Sequence, residues 1–209
     1  SLGFTEGFYN RPRVDMELLR EHHEGLIALS ACLAGEIPRK LTRGDYEGAK
    51  ETALRYLDIF GEGNYYIEVQ NHGIKEQQQI LPLFRKLSDE TGIPLVATND
   101  CHYLNKDDAK MQNILVCIQT NHVYGDGGTL EFPTDEFYVK SRAEMEEALP
   151  DFQDAIDNTV NIAEQCSFDF TFGQTKLPKF TPPDGRDNLE YFTDLSRRGL
   201  KKRYGTITP

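Results

Sequence analysis

Short apolar runs along the chain alternate with longer stretches in which apolar positions recur at helical spacing. Three of the runs have the length of strands and are rich in branched or aromatic residues, at residues 25–31, 65–70 and 95–99. The stretches between them place apolar residues three and four positions apart, which is the period of an amphipathic helix. Because strands that alternate with helices form βαβ units, we predict an α/β fold with parallel strands.

The helical spacing extends beyond the strand region. It predicts helices over residues 14–24, 46–60, 74–90, 106–119, 142–149 and 151–166, and another that begins near residue 188. Pro82 falls inside the third of these and has no backbone N–H, so we expect a kink there or a second helix that starts at Pro82. From residue 167 the chain is first Pro-rich and extended, so the last part is predicted to be mostly helical and extended.

The charge of the chain limits the partners that it can have. A formal net charge of −11 makes it a poor main contact surface for nucleic acid, because an acidic surface repels phosphate backbones. The run SRRGLKKRYG at residues 196–205 is a local basic exception. Such a run is most often a solvated helix face, and a local contact with nucleic acid is the alternative.

Composition indicates a globular chain in a reducing compartment. The 209 residues are 38% apolar and 27% charged, and the longest apolar stretch, residues 25–35, is about half the length of a membrane span. The chain does not open with a basic and then apolar leader. The four cysteines are scattered, which favours free thiols, with metal binding as the other option. We therefore expect a cytoplasmic protein without a membrane segment.

Polar residues with metal-binding side chains follow each of the three predicted strands. Parallel strands point the same way, so their carboxyl ends share one rim, where ligands of α/β proteins bind. Alternate residues of an extended chain lie on the same face, so Asp100 and His102 are predicted to point together and Cys101 to point away. The residues at the three strand ends are Ser30 and Cys32, then Glu68, Asn71 and His72, then Asp100, Cys101 and His102.

Each of these residues also has a simpler interpretation. An Asp-x-His sequence is common, and Cys32 alone is more often a small buried apolar residue. Glu68 is open to a role in a buried ion pair or at a solvent-facing edge, and Asn71 and His72 to roles in a turn. The coincidence of such residues at three strand ends favours a metal or phosphate site. A carboxylate beside an imidazole suits a divalent cation such as Zn²⁺ or Mn²⁺.

Five motifs along the chain are long enough to be specific: GFYNRPRVDMELLREHHEGLIALSACLAGEIPR, YYIEVQNHG, GIPLVATNDCHYL, AIDNTVNIAEQCSFDF and LPKFTPPDG. They resemble the α subunit of bacterial DNA polymerase III, and the resemblance covers nearly the whole chain. It implies that residues 1–166 are the C-terminal part of a PHP (polymerase and histidinol phosphatase) domain, an irregular β/α barrel with a metal cluster at its rim. It also implies that residues 167–209 are a linker and the start of the polymerase palm region.

The same resemblance assigns metal ligands and partners. It carries three ligands onto this sequence, Cys32, Asp100 and His102, and leaves Glu68 and His72 as candidates for a supporting role around them. The family's remaining ligands, including an H-x-H strand, precede the position where this sequence starts, and the palm carboxylates that hold catalytic Mg²⁺ follow its end. We therefore expect a fragment with a partial Zn²⁺ or Mn²⁺ site and no polymerase centre, and without activity of its own.

Two functions from different classes follow from the resemblance. In the first, the parent is a DNA-directed DNA polymerase that uses DNA and dNTPs, and the PHP segment contributes to a 3′→5′ exonuclease or phosphoesterase site. In the second, the PHP segment is an inactive scaffold that stabilises the polymerase or docks a proofreading subunit. The implied partners are DNA and other holoenzyme subunits such as the sliding clamp. A free-standing phosphatase is disfavoured by the palm-like tail.

Overall fold

The computed structural model describes residues 2–125, 132–175 and 177–205. The chain divides into two compact units, Ser1–Ser167 and Phe168–Pro209. Within the described ranges, no helix is both long and apolar enough to cross a membrane. The assignment of residues 1–166 to a PHP domain and of residues 167–209 to a linker and palm segment stays a prediction.

A three-stranded parallel sheet forms the centre of the first unit, which confirms the predicted α/β class. The strands β1 (Ala28–Leu29), β2 (Tyr65–Val69) and β3 (Leu95–Ala97) lie in sequence order, with β2 in the middle. Leu29 pairs with Tyr66, and Val69 pairs with Ala97. The first strand is shorter than predicted, because the backbone reaches Leu26 through a turn at His23 and leaves the extended region at Ala31.

The helices fall close to their predicted positions. Helix α4 matches the predicted bounds, since the Asp45 side chain accepts a hydrogen bond from the Gly48 N–H at its start and Gly61, with a φ of 80°, ends it. The helices are α1 (Leu2–Thr5), α2 (Met16–Glu21), α3 (Glu36–Thr42), α4 (Tyr46–Phe60), α5 (Lys75–Thr91), α6 (Ala109–Thr120, preceded by a 3-10 turn at Lys106–Asp108), α7 (Arg142–Ala148), α8 (Gln153–Gln165) and α9 (Asn188–Tyr204). Helices α1 and α3 are additions to the predicted set.

Helix α5 is continuous through Pro82, so of the two alternatives for this segment, a second helix that starts at Pro82 is wrong. Pro82 lies on the exposed side of α5, whereas Ile80, Phe84 and Leu87 are buried on the other side. A carbonyl that loses its partner N–H on the exposed side can turn to water, which makes a proline tolerable there. Burial of the opposite apolar side then holds the helix together.

Burial on both faces explains why the strand sequences are continuously apolar. Ile67, Val69 and Leu95 have no exposed surface, and Val96 and Ala97 are almost fully buried. Helix α8 packs on β3, while α4 and α5 pack on β2. A bidentate pair between Arg85 of α5 and Asp154 of α8, with both N–O distances at 2.7 Å, joins the helices around this core.

The burial of β3 gives a test of the core. Leu95→Ala should lower the free energy of unfolding by about 2–5 kcal/mol, because it removes methyl groups from a site with no room to collapse. Leu54→Ala is the matched control, since Leu54 on α4 is 43% exposed and should lose about 1 kcal/mol or less. Urea denaturation measures both, and equal losses in the two variants would contradict the assignment of Leu95 to the core.

Candidate functional site at the strand ends

The Glu68 carboxylate ties together the carboxyl ends of all three strands. Its Oε2 accepts a hydrogen bond from the Ala31 N–H at 3.0 Å, just after β1. Its Oε1 accepts from Gln70 Nε2 at 3.1 Å and from the Thr98 hydroxyl, just after β3. The Ser30 hydroxyl in turn accepts from the Glu68 N–H at 2.8 Å. Neutral donors therefore hold Glu68, in place of the ion pair or the solvent-facing edge considered from its sequence.

Cys32 follows this tie and shares a small cavity with it. The preceding residue, Ala31, has a φ of 67°, so the chain turns sharply before the half-buried thiol. The cavity, of about 10 Å³, has Cys32, Glu68, Gln70 and Gln77 among its lining residues, which is space for about one water molecule. The structure thus brings Cys32 and Glu68 to the same small cavity, which apolar residues such as Leu33 and Phe84 also line.

Asp100 and His102 form an adjacent pair on the outer side of the rim. Asp100 Oδ1 lies 3.4 Å from His102 Nε2, and their side chains are 43% and 38% exposed. The Cys101 thiol instead lies 3.3 Å from the Tyr138 carbonyl oxygen. Asp100 and His102 are thus together as predicted, but not through the extended strand that the prediction assumed, because β3 ends at Ala97. Asp100 has a φ of 41°, a left-handed conformation that is uncommon for a residue other than glycine. The pair presents one oxygen and one nitrogen donor together.

His72 is buried, and protein groups engage both of its ring nitrogens. Nδ1 accepts a hydrogen bond from Gln77 Nε2 at 2.8 Å, so Nε2 carries the proton and donates to the Asn99 carbonyl oxygen at 2.9 Å. The ring stacks on Phe137 with centroids 4.2 Å apart. Burial lowers the pKa of His72 below its usual value. His72 is thus held as a neutral packing and hydrogen-bonding group.

Part of the segment between α6 and α7 forms one wall of the rim. We call residues 134–141 the rim strap. Asn99 Nδ2 donates to the carbonyl oxygens of Glu136 at 2.9 Å and Tyr138 at 2.7 Å, and the Thr134 hydroxyl donates to the His72 carbonyl oxygen. The His102 N–H donates to the Phe137 carbonyl oxygen at 2.8 Å. The rim strap therefore fixes the backbone that carries the Asp100–His102 pair.

The rim strap also carries a buried cation that the sequence did not reveal. The Lys140 side chain is 3% exposed, and its Nζ lies 2.9 Å from Glu136 Oε2 and 4.3 Å from the centre of the Tyr138 ring. Hydrogen bonds from Lys106 and then Lys140 hold the pKa of Glu136 below its usual value. A lysine in a Gly- and aromatic-rich stretch gives no sequence signal of burial, because burial depends on the partner carboxylate and ring.

Of the three predicted ligands, Asp100 and His102 come together as a pair, but the three do not form one cluster. Among residues 2–125, 132–175 and 177–205, no three or more His, Cys, Asp or Glu side chains gather closely enough to hold a metal ion. Asp100 and His102 fit a divalent cation as two adjacent donors, whereas Zn²⁺ commonly takes four ligands. The ligand set of Cys32, Asp100 and His102 stays a prediction.

The buried state of His72 gives a pH test. A His pKa lowered in the folded state favours the neutral form, so its contribution to stability is present above pH about 6.5 and declines as the pH falls further. Urea denaturation between pH 7.5 and 5.5 should show this decline, and His72→Gln should flatten it. The exposed His22 serves as the control, since His22→Gln should keep the slope. An unchanged slope in His72→Gln would contradict the assigned burial.

Comparison with known proteins identifies relatives along the whole chain. Residues 1–72 match the PHP domain family. The chain is 43% identical to the DNA polymerase III subunit alpha of Treponema pallidum over 209 residues, which is all of this chain and 18% of that protein. It is 42% identical to that of Deinococcus radiodurans, over 98% of this chain and 16% of that protein. The Thermus aquaticus protein is 40% identical over 98% of this chain and 17% of its own length.

These matches confirm the resemblance drawn from the motifs. The chain spans less than a fifth of the length of the curated relatives cited. The PHP match ends at His72, so Cys32 lies inside it and Asp100 and His102 lie beyond it, in the part matched by the polymerase subunits alone. Along its whole length the chain is therefore similar to one segment of the bacterial DNA polymerase III α subunits, and its first 72 residues match the PHP domain family.

Proposed function

We propose that this chain is part of a replicative DNA polymerase that carries out DNA-templated DNA synthesis. The relatives, named DNA polymerase III subunit alpha, match it from end to end and support this function. The whole protein would then use DNA and dNTPs with Mg²⁺, in the cytoplasm, alongside holoenzyme partners such as a sliding clamp and a proofreading subunit. Chemistry at the polymerase centre would lie in the rest of the protein.

Within that protein, the proposed role of the first unit is to contribute donors to a phosphodiester-hydrolysing site with 3′→5′ exonuclease activity. The observation that carries this role is the adjacent, half-exposed Asp100–His102 pair at the strand ends. A divalent Zn²⁺ or Mn²⁺ ion held there would neutralise a phosphate and activate water. Cys32 is the third proposed ligand, and donors from elsewhere in the protein would complete the coordination.

The residues of this chain position the proposed donors before any ion binds. The left-handed turn at Asp100 places its carboxylate beside the imidazole, and the bond from the His102 N–H to Phe137 fixes the backbone between them. Glu68 fixes the turn that leads to Cys32. Donors held in place by hydrogen bonds lose little freedom on binding a ligand, which raises affinity.

A substitution in the full-length protein tests the proposed metal role. Asp100→Asn should lower bound Zn²⁺ or Mn²⁺ and reduce 3′→5′ exonuclease activity by at least about tenfold, because it removes a charged donor. DNA synthesis should stay within about twofold, since that centre lies elsewhere. Asp107→Asn, at an exposed position in the nearby 3-10 turn, is the matched control. Unchanged metal content in Asp100→Asn would sink the ligand assignment.

A scaffold is the second candidate function, and the strand-end hydrogen bonds favour it. Glu68 has three protein donors and both ring nitrogens of His72 are engaged, so much of the polar rim is satisfied within the protein. Such a scaffold would stabilise the polymerase or dock a proofreading subunit. It predicts that Asp100→Asn leaves metal content and exonuclease activity unchanged, whereas Glu68→Ala lowers the thermal midpoint of the full-length protein.

A further inference from the structure

We propose that the basic half of α9 binds the phosphate backbone of nucleic acid. This inference rests on the proposed function, because a polymerase presents DNA to such a surface. Five cationic side chains occur within seven residues of the helix, and no acidic residue lies among them, although the net charge of the chain is −11. The five, which we call the basic half, are Arg197, Arg198, Lys201, Lys202 and Arg203.

Four of the five cations of the basic half cluster on one side of α9. At 3.6 residues per turn, Arg197 and Lys201 stand one turn apart, and Arg198 and Lys202 do so beside them, so the four fall within an arc of about 140°. All five side chains are exposed. Within the part of the chain that the structure describes, Arg198 pairs with Asp194 at 3.0 Å, and no ion pair engages the other four.

Two simpler roles explain only part of this cluster. Cations in the last turn of a helix complement the helix dipole, and this effect falls off within that turn. It accounts for Lys201, Lys202 and Arg203 but not for Arg197, which lies a full turn earlier. The pair with Asp194 accounts for Arg198 alone. Uncompensated charge therefore remains, and it matches the spaced charges of a phosphate backbone.

The side of α9 opposite the four clustered cations is mostly apolar, with Arg203 as its one cation. Leu189, Phe192 and Leu200 lie on this opposite side and are 72%, 66% and 42% exposed. The relatives are more than five times as long as this chain, and that remaining length is available to cover the apolar side. Once that side is covered, the cationic side faces outward.

A groove over Gly199 supports close approach of a ligand. The groove has a volume of about 460 Å³, and Arg198, Lys202 and Arg203 are among its lining residues. A glycine inside a helix costs about 1 kcal/mol relative to alanine. A Cβ at Gly199 would meet no atom within 4 Å in the described structure, so packing within the chain does not require this glycine. The open surface at Gly199 leaves room for a phosphate between Lys202 and Arg203.

Salt-dependent binding of the full-length protein to primed duplex DNA tests the proposal. Each phosphate contact contributes about −0.9 to the slope of log affinity against log salt. Arg197→Gln/Lys201→Gln should therefore reduce the steepness of the slope by about 2 and weaken binding at low salt. The ratio of the two affinities, unmodified protein over variant, should fall about tenfold between about 50 and 200 mM salt. Lys75→Gln/Lys110→Gln removes the same charge from exposed positions on α5 and α6 and should bind as the unmodified protein does.

A second variant separates binding from folding. Gly199→Gln removes no charge and should raise the helix stability, yet its side chain fills the groove and should weaken DNA binding. Fluorescence anisotropy gives the affinities and thermal unfolding gives the stabilities. The proposal would be overturned if the control pair lost as much DNA affinity as Arg197→Gln/Lys201→Gln, or if the latter kept its affinity. Binding to phosphatidylserine/phosphatidylcholine vesicles in place of DNA would also overturn it.

DNA synthesis by the unmodified protein, measured in parallel, distinguishes this proposal from the proposed function. If the unmodified protein makes no DNA but the variant shows a reduced salt slope, the polymerase function is contradicted and the phosphate-binding surface is supported. If the unmodified protein makes DNA normally but the variant binds DNA with unchanged affinity, only the phosphate-binding surface is contradicted. The two failures therefore give different results.

Discussion

Parallel pairing of β1, β2 and β3 is the constraint on which the rest of the first unit depends. It brings three strand ends that are far apart in sequence to one rim, and the Glu68 carboxylate then joins them through donors from Ala31, Gln70 and Thr98. A carboxylate taken from water is stabilised only where several donors compensate it. The interaction that organises the rim thus also explains why a charged residue occurs inside an apolar strand.

The rim strap converts this framework into a candidate site. His72 and Asn99 bind the strap from one side, and the backbone around His102 binds it from the other. Glu68 and both ring nitrogens of His72 are hydrogen-bonded inside the protein, whereas the side chains of Asp100 and His102 are half-exposed. This difference supports the proposed roles, in which Glu68 and His72 support the site and the adjacent pair binds the ligand.

The cationic side chains of the two units differ in whether they have ion-pair partners. In the first unit, the cations near the rim, Lys106 and Lys140, both pair with Glu136, and Lys106 also pairs with Asp135, so that two carboxylates neutralise them. In the second unit, the last two turns of α9 carry the basic half, in which Arg198 alone has an ion-pair partner among the described residues. The opposite side of the helix is mostly apolar. Neutralised cations hold a fold together, while unneutralised ones attract anions. The same residue types therefore support packing in one unit and a proposed contact with phosphate in the other.

The sequence by itself determined the α/β class, most helix positions and the convergence of polar residues at one rim, because strand and helix periods are local properties of the backbone. It also predicted that Asp100 and His102 point together, but the left-handed backbone at Asp100 brings them together, and not the extended strand that the prediction assumed. The tertiary structure decided that α5 runs through Pro82, that His72 is locked between Gln77 and Asn99, and that Lys140 is buried. Each of these depends on partners distant in the sequence, and no local pattern encodes which distant groups meet.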